Sequence, residues 1–418
     1  MSHFKQGSEC SNRLSSSRHL MKQIQTGIER LLADPPSILR GKRLGLLANP
    51  ASVACPDGSQ RFRSTRLLIA DHYPDQLKVL FSPQHGFFAE KQANMVTSEG
   101  LIDPILEIPV YSLYGETRIP TKAMLEPIDL LIIDLQDVGT RVYTFIYTMA
   151  LCLQAARTYE KEVLVLDRPN PVGGNRIEGN CLRSDYTSFV GMYPIPMRHG
   201  LTIGELALLF NDHFGIHSRL SVTPMEGWDR RMFFVDTGLP WIPPSPNLPT
   251  PTSALIYPGQ VLWEGTNVSE GRGTTQPFEI FGAPFLDTAR LEARLSKELP
   301  EGIYLRPLAF EPMSDKWENQ LCHGFQIHLI DAQVFKPYRT TLALLQAVVS
   351  AHPDAFQWKS PPYEYEFEKF PFDIIAGDPL VREAIENQEP LEELEQSWAE
   401  ELKEFEEIRR PFLLYDPK

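Results

Sequence analysis

The sequence predicts an α/β fold organised on a mostly parallel, doubly wound sheet. Two patterns carry that prediction. Short apolar runs recur along the first half of the chain, with helix-like spacing between them. Continuous apolar runs of that kind suit parallel strands buried on both faces. The runs also end in polar loops, which present Asn49, His85, Asp134 with Asp137, and Asp167 with Arg168. In open parallel sheets ligands bind beyond the carboxyl ends of the strands, so these loops are where a site is expected.

Taken in order, residues 1–18 are polar and serine-rich and read as a disordered leader. His19 to Ala33 spaces Leu20, Ile24, Ile28 and Leu31 along one helical face. Lys42 to Pro50 is a strand running into Asn49. Ser64 to Asp71 is helical, and Leu77 to Phe81 is a strand leading into Ser82-Pro-Gln-His-Gly86 and on to Glu90. Val110 to Leu113 is a short third strand. Leu130 to Ile133 is the strand around which the rest is organised. Asp134, Gln136, Asp137, Thr140 and Arg141 crowd its end, Gly139 permits a tight turn, and Tyr143 to Ala156 resumes as a packed helix. Glu162 to Leu166 repeats the pattern and ends in Asp167-Arg-Pro-Asn-Pro171. Thr202-Ile-Gly-Glu205 is a capping box that opens a helix over residues 206–214, and Leu220 to Met225 is a strand. The proline-dense stretch Trp241 to Pro251 separates an N-terminal domain of residues 19–245 from a C-terminal domain of residues 252–418. Beyond it, Trp263 to Glu279 is a glycine-rich loop with Glu264, Asn267, Glu270, Arg272 and Glu279. Phe325 to Ile330 alternates like a strand, and Pro337 to Ala351 is a helix. The tail places Leu391, Leu394, Trp398, Leu402, Phe405 and Ile408 on one surface helix with a solvated glutamate face.

The whole-chain balance narrows the function. A net charge of −14 over 418 residues argues against nucleic acid and anionic membranes as partners. Five scattered cysteines without C-x-x-C spacing fit reduced thiols. The leader has no apolar signal core, and the most apolar helix is too short to span a bilayer, so a cytoplasmic protein is expected. Dinucleotide and triphosphate fingerprints are absent, so neither dinucleotide nor triphosphate binding has support in the sequence. Cys322, His323 and His328 lack a further ligand nearby, which predicts no metal site. A homo-oligomer is left open.

Carboxylates near arginines point to acid/base work on a polar, anionic substrate. Glu90, Asp134, Asp137 and Asp167 come from the sheet half; Glu264, Glu270 and Glu279 come from the glycine-rich loop. A cleft between the two domains would join both sets. The structural alternative at each position is plain. Asp134 and Asp137 could cap the helix, Arg141 could pair with one of them, and Glu270 or Glu279 could shape the loop.

Several long motifs occur in one order: Asp134-Leu-Gln-Asp-Val-Gly-Thr-Arg-Val-Tyr-Thr-Phe145, Leu166-Asp-Arg-Pro-Asn-Pro171, Arg198-His-Gly-Leu-Thr202, Pro244-Ser-Pro-Asn247 and Glu264-Gly-Thr-Asn-Val-Ser-Glu-Gly-Arg-Gly-Thr-Thr275. With these the chain resembles the DUF1343 family, whose characterised members are exo-β-N-acetylmuramidases of the NamZ type. The resemblance spans about residues 40–415. It implies a Rossmann-like N-terminal domain, a smaller α/β C-terminal domain and an active site between them. It also implies cofactor-free release of N-acetylmuramic acid (MurNAc) from non-reducing ends of peptidoglycan fragments. Residues and resemblance together nominate Asp137, Glu90, Glu270 and Glu264 as catalytic. They nominate Gln84, His85, Asp134, Arg141, Asp167, Arg198, Asn267 and Arg272 for substrate binding, with Arg141, Arg272 and Arg198 holding the lactyl carboxylate. One departure bears on mechanism. The family's muramidases typically carry Pro-Glu-His-Gly, whose Glu is the leading acid candidate; this chain has Pro83-Gln-His-Gly86. An amide cannot act as a general acid. Two readings follow: a hydrolase that takes its proton from another carboxyl, Glu90 or Glu270, or a muropeptide- or sugar-binding protein that has lost its acid.

Overall fold

In the computed structural model, which describes residues 24–55, 61–88, 100–295, 301–364 and 366–415, the apolar runs of the first half join one seven-stranded sheet. In chain order its strands are β1 (Leu44–Ala48), β2 (Leu77–Ser82), β3 (Leu101–Ile102), β4 (Pro109–Ser112), β5 (Leu130–Asp134), β6 (Glu162–Leu166) and β7 (Arg219–Thr223). In space the order is β7-β6-β5-β1-β2-β4-β3, parallel throughout except for β3 against β4. The chain goes from β1 to β2 on one side and later returns to β5 on the other. The strand order therefore reverses at β1 and β5, where a crevice opens in doubly wound sheets.

Strand periodicity explains why whole runs are apolar. Leu47, Ile133 and Val165 belong to one core cluster with helices α3 (Phe145–Thr158) and α4 (Ile203–Asp212). Their neighbours Leu46, Ile132 and Leu164 belong to another, with α1 (Gly27–Ala33) and α2 (Thr65–His72). Successive side chains point to opposite faces, and both faces are covered over the central strands β1, β5 and β6, so there polar positions arise only at strand ends.

The second half adds an antiparallel sheet of β8 (Ile280–Ala283), β9 (Ile303–Phe310) and β10 (Cys322–Leu329) in the order β8-β10-β9. Helix α5 (Pro337–Ala351) matches its predicted bounds. Trp263 stacks on Phe281, which packs against Phe325, and these rings belong to the same core cluster as Ile133 and Phe145. The two halves thus share one apolar core. Among the described residues, no helix is long and apolar enough to cross a membrane.

Two elements depart from expectation. The first helix begins at Gly27, because Thr26 and Glu29 form a capping box there and Gln25 is drawn into a bridge with Glu226. Residues 19–23, the leader and Cys10 lie outside the described residues. The tail forms two helices, Leu391–Ser397 and Ala399–Arg409. They are broken at Trp398, whose ring turns inward to meet Tyr338 edge-on at 6.2 Å. Leu391, Leu394, Trp398 and Phe405 are buried, while most of the tail's glutamates stay exposed as expected.

Candidate active site

Three loops from distant parts of the chain converge on one cleft. The turn after β2 supplies Gln84 and His85, and His85 adopts the left-handed region at φ 77°. The turn leading into α3 supplies Val142 to Phe145. The second half supplies Ser245, Asn247, Tyr257, Glu264, Arg272, Phe278, Tyr363 and Glu364. The space between them is about 510 Å³, part of it open to solvent.

The polar geometry is built on two glutamates in different surroundings. Glu264 accepts hydrogen bonds from Arg272 Nη2 at 2.7 Å and from the Tyr363 hydroxyl at 2.9 Å. Arg272 also lies 3.2 Å from Glu270, which contacts Lys316 Nζ at 2.8 Å, and its guanidinium stands 5.1 Å from the centre of the Phe278 ring. Glu264, Arg272, Glu270 and Lys316 thus form a chain of alternating charge. Burial works to raise the Glu270 carboxyl, but the Lys316 and Arg272 charges outweigh it and hold it below the usual range. Glu364 is different. Both of its oxygens accept from the Tyr114 hydroxyl, at 3.0 and 3.2 Å, and Arg118 Nη2 lies at 3.5 Å. Burial raises its pKa, with Tyr114 and Arg118 opposing and the Glu264 charge adding to the rise. Burial also raises the phenols of Tyr143, Tyr257 and Tyr363, so they stand in the cleft as neutral groups. On the opposite wall, Gln84 Oε1 accepts from Thr144 Oγ1 at 3.0 Å.

Residues 44–252 match the family described as exo-beta-N-acetylmuramidase NamZ, N-terminal, and residues 255–415 match its C-terminal counterpart. The chain belongs to the NamZ family. Peptidoglycan beta-N-acetylmuramidase NamZ of Bacillus subtilis strain 168 is 43% identical over 393 residues, covering 94% of this chain and 92% of that protein. Crystal structures of two DUF1343 family proteins from Bacteroides fragilis NCTC 9343 superpose with TM-scores of 0.83 and 0.74 at 33% and 29% identity. Each comparison covers 94% of this chain and 99% of the other.

Within this NamZ-family architecture the structure brings together Gln84, His85, Glu264 and Arg272 of the nominated residues. It sets others apart from the cleft. Arg141, expected to hold a lactyl carboxylate, is fully buried and donates to the carbonyls of Asn180, Ile195, Ile375 and Ala376. Asp134 is tied to Arg168 at 2.5 and 2.8 Å and to Thr65. Asp137 accepts from Gly139 N at 2.7 Å and lies 3.4 Å from His199 Nε2, shaping the turn after β5. Asp167 gathers Thr202, Gly204 and Tyr415. Arg198 donates to the Val172 carbonyl and lines a separate cavity with Glu178; burial lowers its pKa to about 10. Asn267 pairs with the backbone of Ala355 and Gln357. Glu270 lies behind Arg272. Glu90 falls outside the described residues. The common cause is that a polar residue at a buried strand end must first satisfy buried backbone and charge.

Sequence reasoning missed Tyr257, Tyr363 and Glu364 altogether. The signal for the last two was the run Pro361-Pro-Tyr-Glu-Tyr-Glu366, acidic and aromatic residues alternating after two prolines.

Proposed function

We propose that this chain is an exo-acting glycoside hydrolase that releases MurNAc from the non-reducing ends of peptidoglycan fragments. The observation that carries the reading is the near full-length similarity to the Bacillus subtilis peptidoglycan muramidase. The cleft supports it chemically. Glycoside hydrolysis needs a proton for the leaving oxygen and negative charge near the carbon that becomes cationic. Two carboxyl groups in contrasting environments, Glu264 and Glu364, line one cleft with neutral phenols and aromatic faces suited to a sugar ring. Arg272 is a cation in that lining and would face the lactyl carboxylate. The reading takes residues 19–245 and 252–418 as two domains meeting at the cleft, and it uses neither cofactor nor nucleic acid. It places the protein in the cytoplasm, supported by free thiols at Cys55, Cys152, Cys181 and Cys322.

The test is incubation with MurNAc-GlcNAc and with an aryl MurNAc glycoside, following free MurNAc. Release from both is expected. Tight binding of either compound without release would refute the hydrolase and favour a sugar-binding protein.

A further inference from the structure

We propose that a cavity beside the tail helices is a second binding site, which takes a small carboxylate carrying an apolar body. It lies between the antiparallel strands Glu178–Cys181 and Pro196–Arg198, the start of α5 and the helices Leu391–Ser397 and Ala399–Arg409. About 1310 Å³ of space opens there, part of it to solvent, against about 510 Å³ in the cleft. The two share no lining residue. The site stands whether or not the chain hydrolyses MurNAc glycosides.

Arg198 is the residue that points to an anion. It is 3% exposed and lines the cavity, yet among the described residues its guanidinium makes one hydrogen bond, to the Val172 carbonyl. Its Nε is buried without a partner. A guanidinium presents five N–H donors in a planar fork, so a buried one with a single carbonyl acceptor is incomplete without a counter-ion. Burial lowers its pKa only to about 10, which leaves it cationic at neutral pH. Glu178 is the carboxylate whose charge reaches it, but that group lies beyond ion-pair distance. It accepts instead from Arg339 N at 3.1 Å, in the first turn of α5. Glu395 is likewise spent, on the Arg339 guanidinium. What remains in the wall is one exposed acid, Glu301, against two further cations, Arg176 and Lys336. Neither of these pairs with a carboxylate among the described residues. Ile177, Phe335, Trp398 and Leu402 supply the apolar part of the wall. The guanidinium fork matches a carboxylate in two parallel hydrogen bonds, and the apolar wall favours a hydrocarbon or aromatic body attached to it.

The experiment is isothermal titration calorimetry on the full chain with four probes. 3-Phenylpropionate has both the charge and the body, propionate the charge alone, and 3-phenylpropan-1-ol the body alone; inorganic phosphate is a rival anion. Phenylpropionate should bind one to one, and at least about tenfold tighter than each of the others. Arg198→Gln keeps a donor for Val172 and should weaken phenylpropionate about 10–100-fold, as loss of a charge-assisted hydrogen bond implies. The double variant Arg176→Ala, Lys336→Ala should weaken it severalfold, and Leu402→Trp, which fills the apolar part, should abolish binding. Failure of phenylpropionate to bind, another probe that binds as tightly, or unchanged affinity in Arg198→Gln would each overturn the site. Should Arg198→Gln fail to fold by circular dichroism, the double variant decides: affinity equal to wild type overturns the site, and a severalfold loss supports it.

Discussion

At the scale of single residues, buried arginines separate structure from chemistry. The sequence places Arg141 correctly at a crowded strand end, but its polarity serves the fold. Its guanidinium satisfies carbonyls on three segments, and those of Ile375 and Ala376 arrive from more than 200 residues away. No local pattern announces such a partner. Gly377 belongs to the same arrangement: it takes φ 75°, and a Cβ there would stand 2.7 Å from Arg141 Nη2. Arg409, expected on an exposed tail helix, is 3% exposed and donates to the carbonyls of Gly174 and Gly200 at 3.1 and 2.9 Å. Each unsatisfied buried acceptor costs about 1–3 kcal/mol. Arg141→Ala should therefore lose at least ~4 kcal/mol, and Arg409→Ala several kcal/mol, measured as urea-unfolding midpoints. Arg141→Lys should recover only part, because an ammonium cannot reproduce the fork. If Arg141→Ala left the midpoint unchanged and weakened only MurNAc binding, its assignment to the fold would be wrong.

At the scale of elements, apolar periodicity was enough to locate β1, β2, β5, β6 and α5, since strands buried on both faces have little freedom of composition. What it could not show is which elements a polar end would tie together. Asp167, at the end of β6, accepts from Gly204 N at 2.8 Å at the start of α4, from Thr202 Oγ1 at 2.7 Å and from the Tyr415 hydroxyl at 2.6 Å. It binds strand, helix and C-terminal segment at one carboxyl. Burial raises its pKa to about 7, against the opposition of Tyr415 and with the Glu205 charge adding to the rise. The sign follows directly. With a folded pKa above the unfolded value of about 4, the folded state holds the proton more tightly. Its contribution is fully present below about pH 4 and is lost as pH rises through about 7. One such proton gives a slope of up to about 1.4 kcal/mol per pH unit. Wild-type stability should fall between pH 5 and 8, and Asp167→Asn should flatten the fall. A residual slope belongs to Glu178, which burial also raises to about 7. Equal slopes for wild type and Asp167→Asn in urea titrations at each pH would exclude this role.

At the scale of the whole molecule, the cleft and the core are both joint products of the two halves. The proline-dense stretch at 241–251 reads as a boundary in the sequence, and the loops on either side of it were legible as polar. The pairing of Tyr114 with Glu364 across it, over 250 positions, was not, and neither was that of Glu264 with Tyr363 across 99 positions within the second half, because both depend on three-dimensional closure. The apolar core likewise passes from Phe81 and Ile133 through Trp263 and Phe325 to Tyr338 without a break. Two domains joined by a polar, wet interface would unfold separately. A shared dry core makes the opening of either half expose the other's apolar surface, so partial unfolding costs nearly as much as complete unfolding. Scanning calorimetry should therefore give one transition whose calorimetric and van't Hoff enthalpies agree. A saturating MurNAc ligand should raise its midpoint as a single peak, by about 2.7 kcal/mol of stability at a hundredfold excess over Kd. Two resolved peaks, with only one moved by the sugar, would mean that the halves fold independently and that the cleft is held by one of them alone.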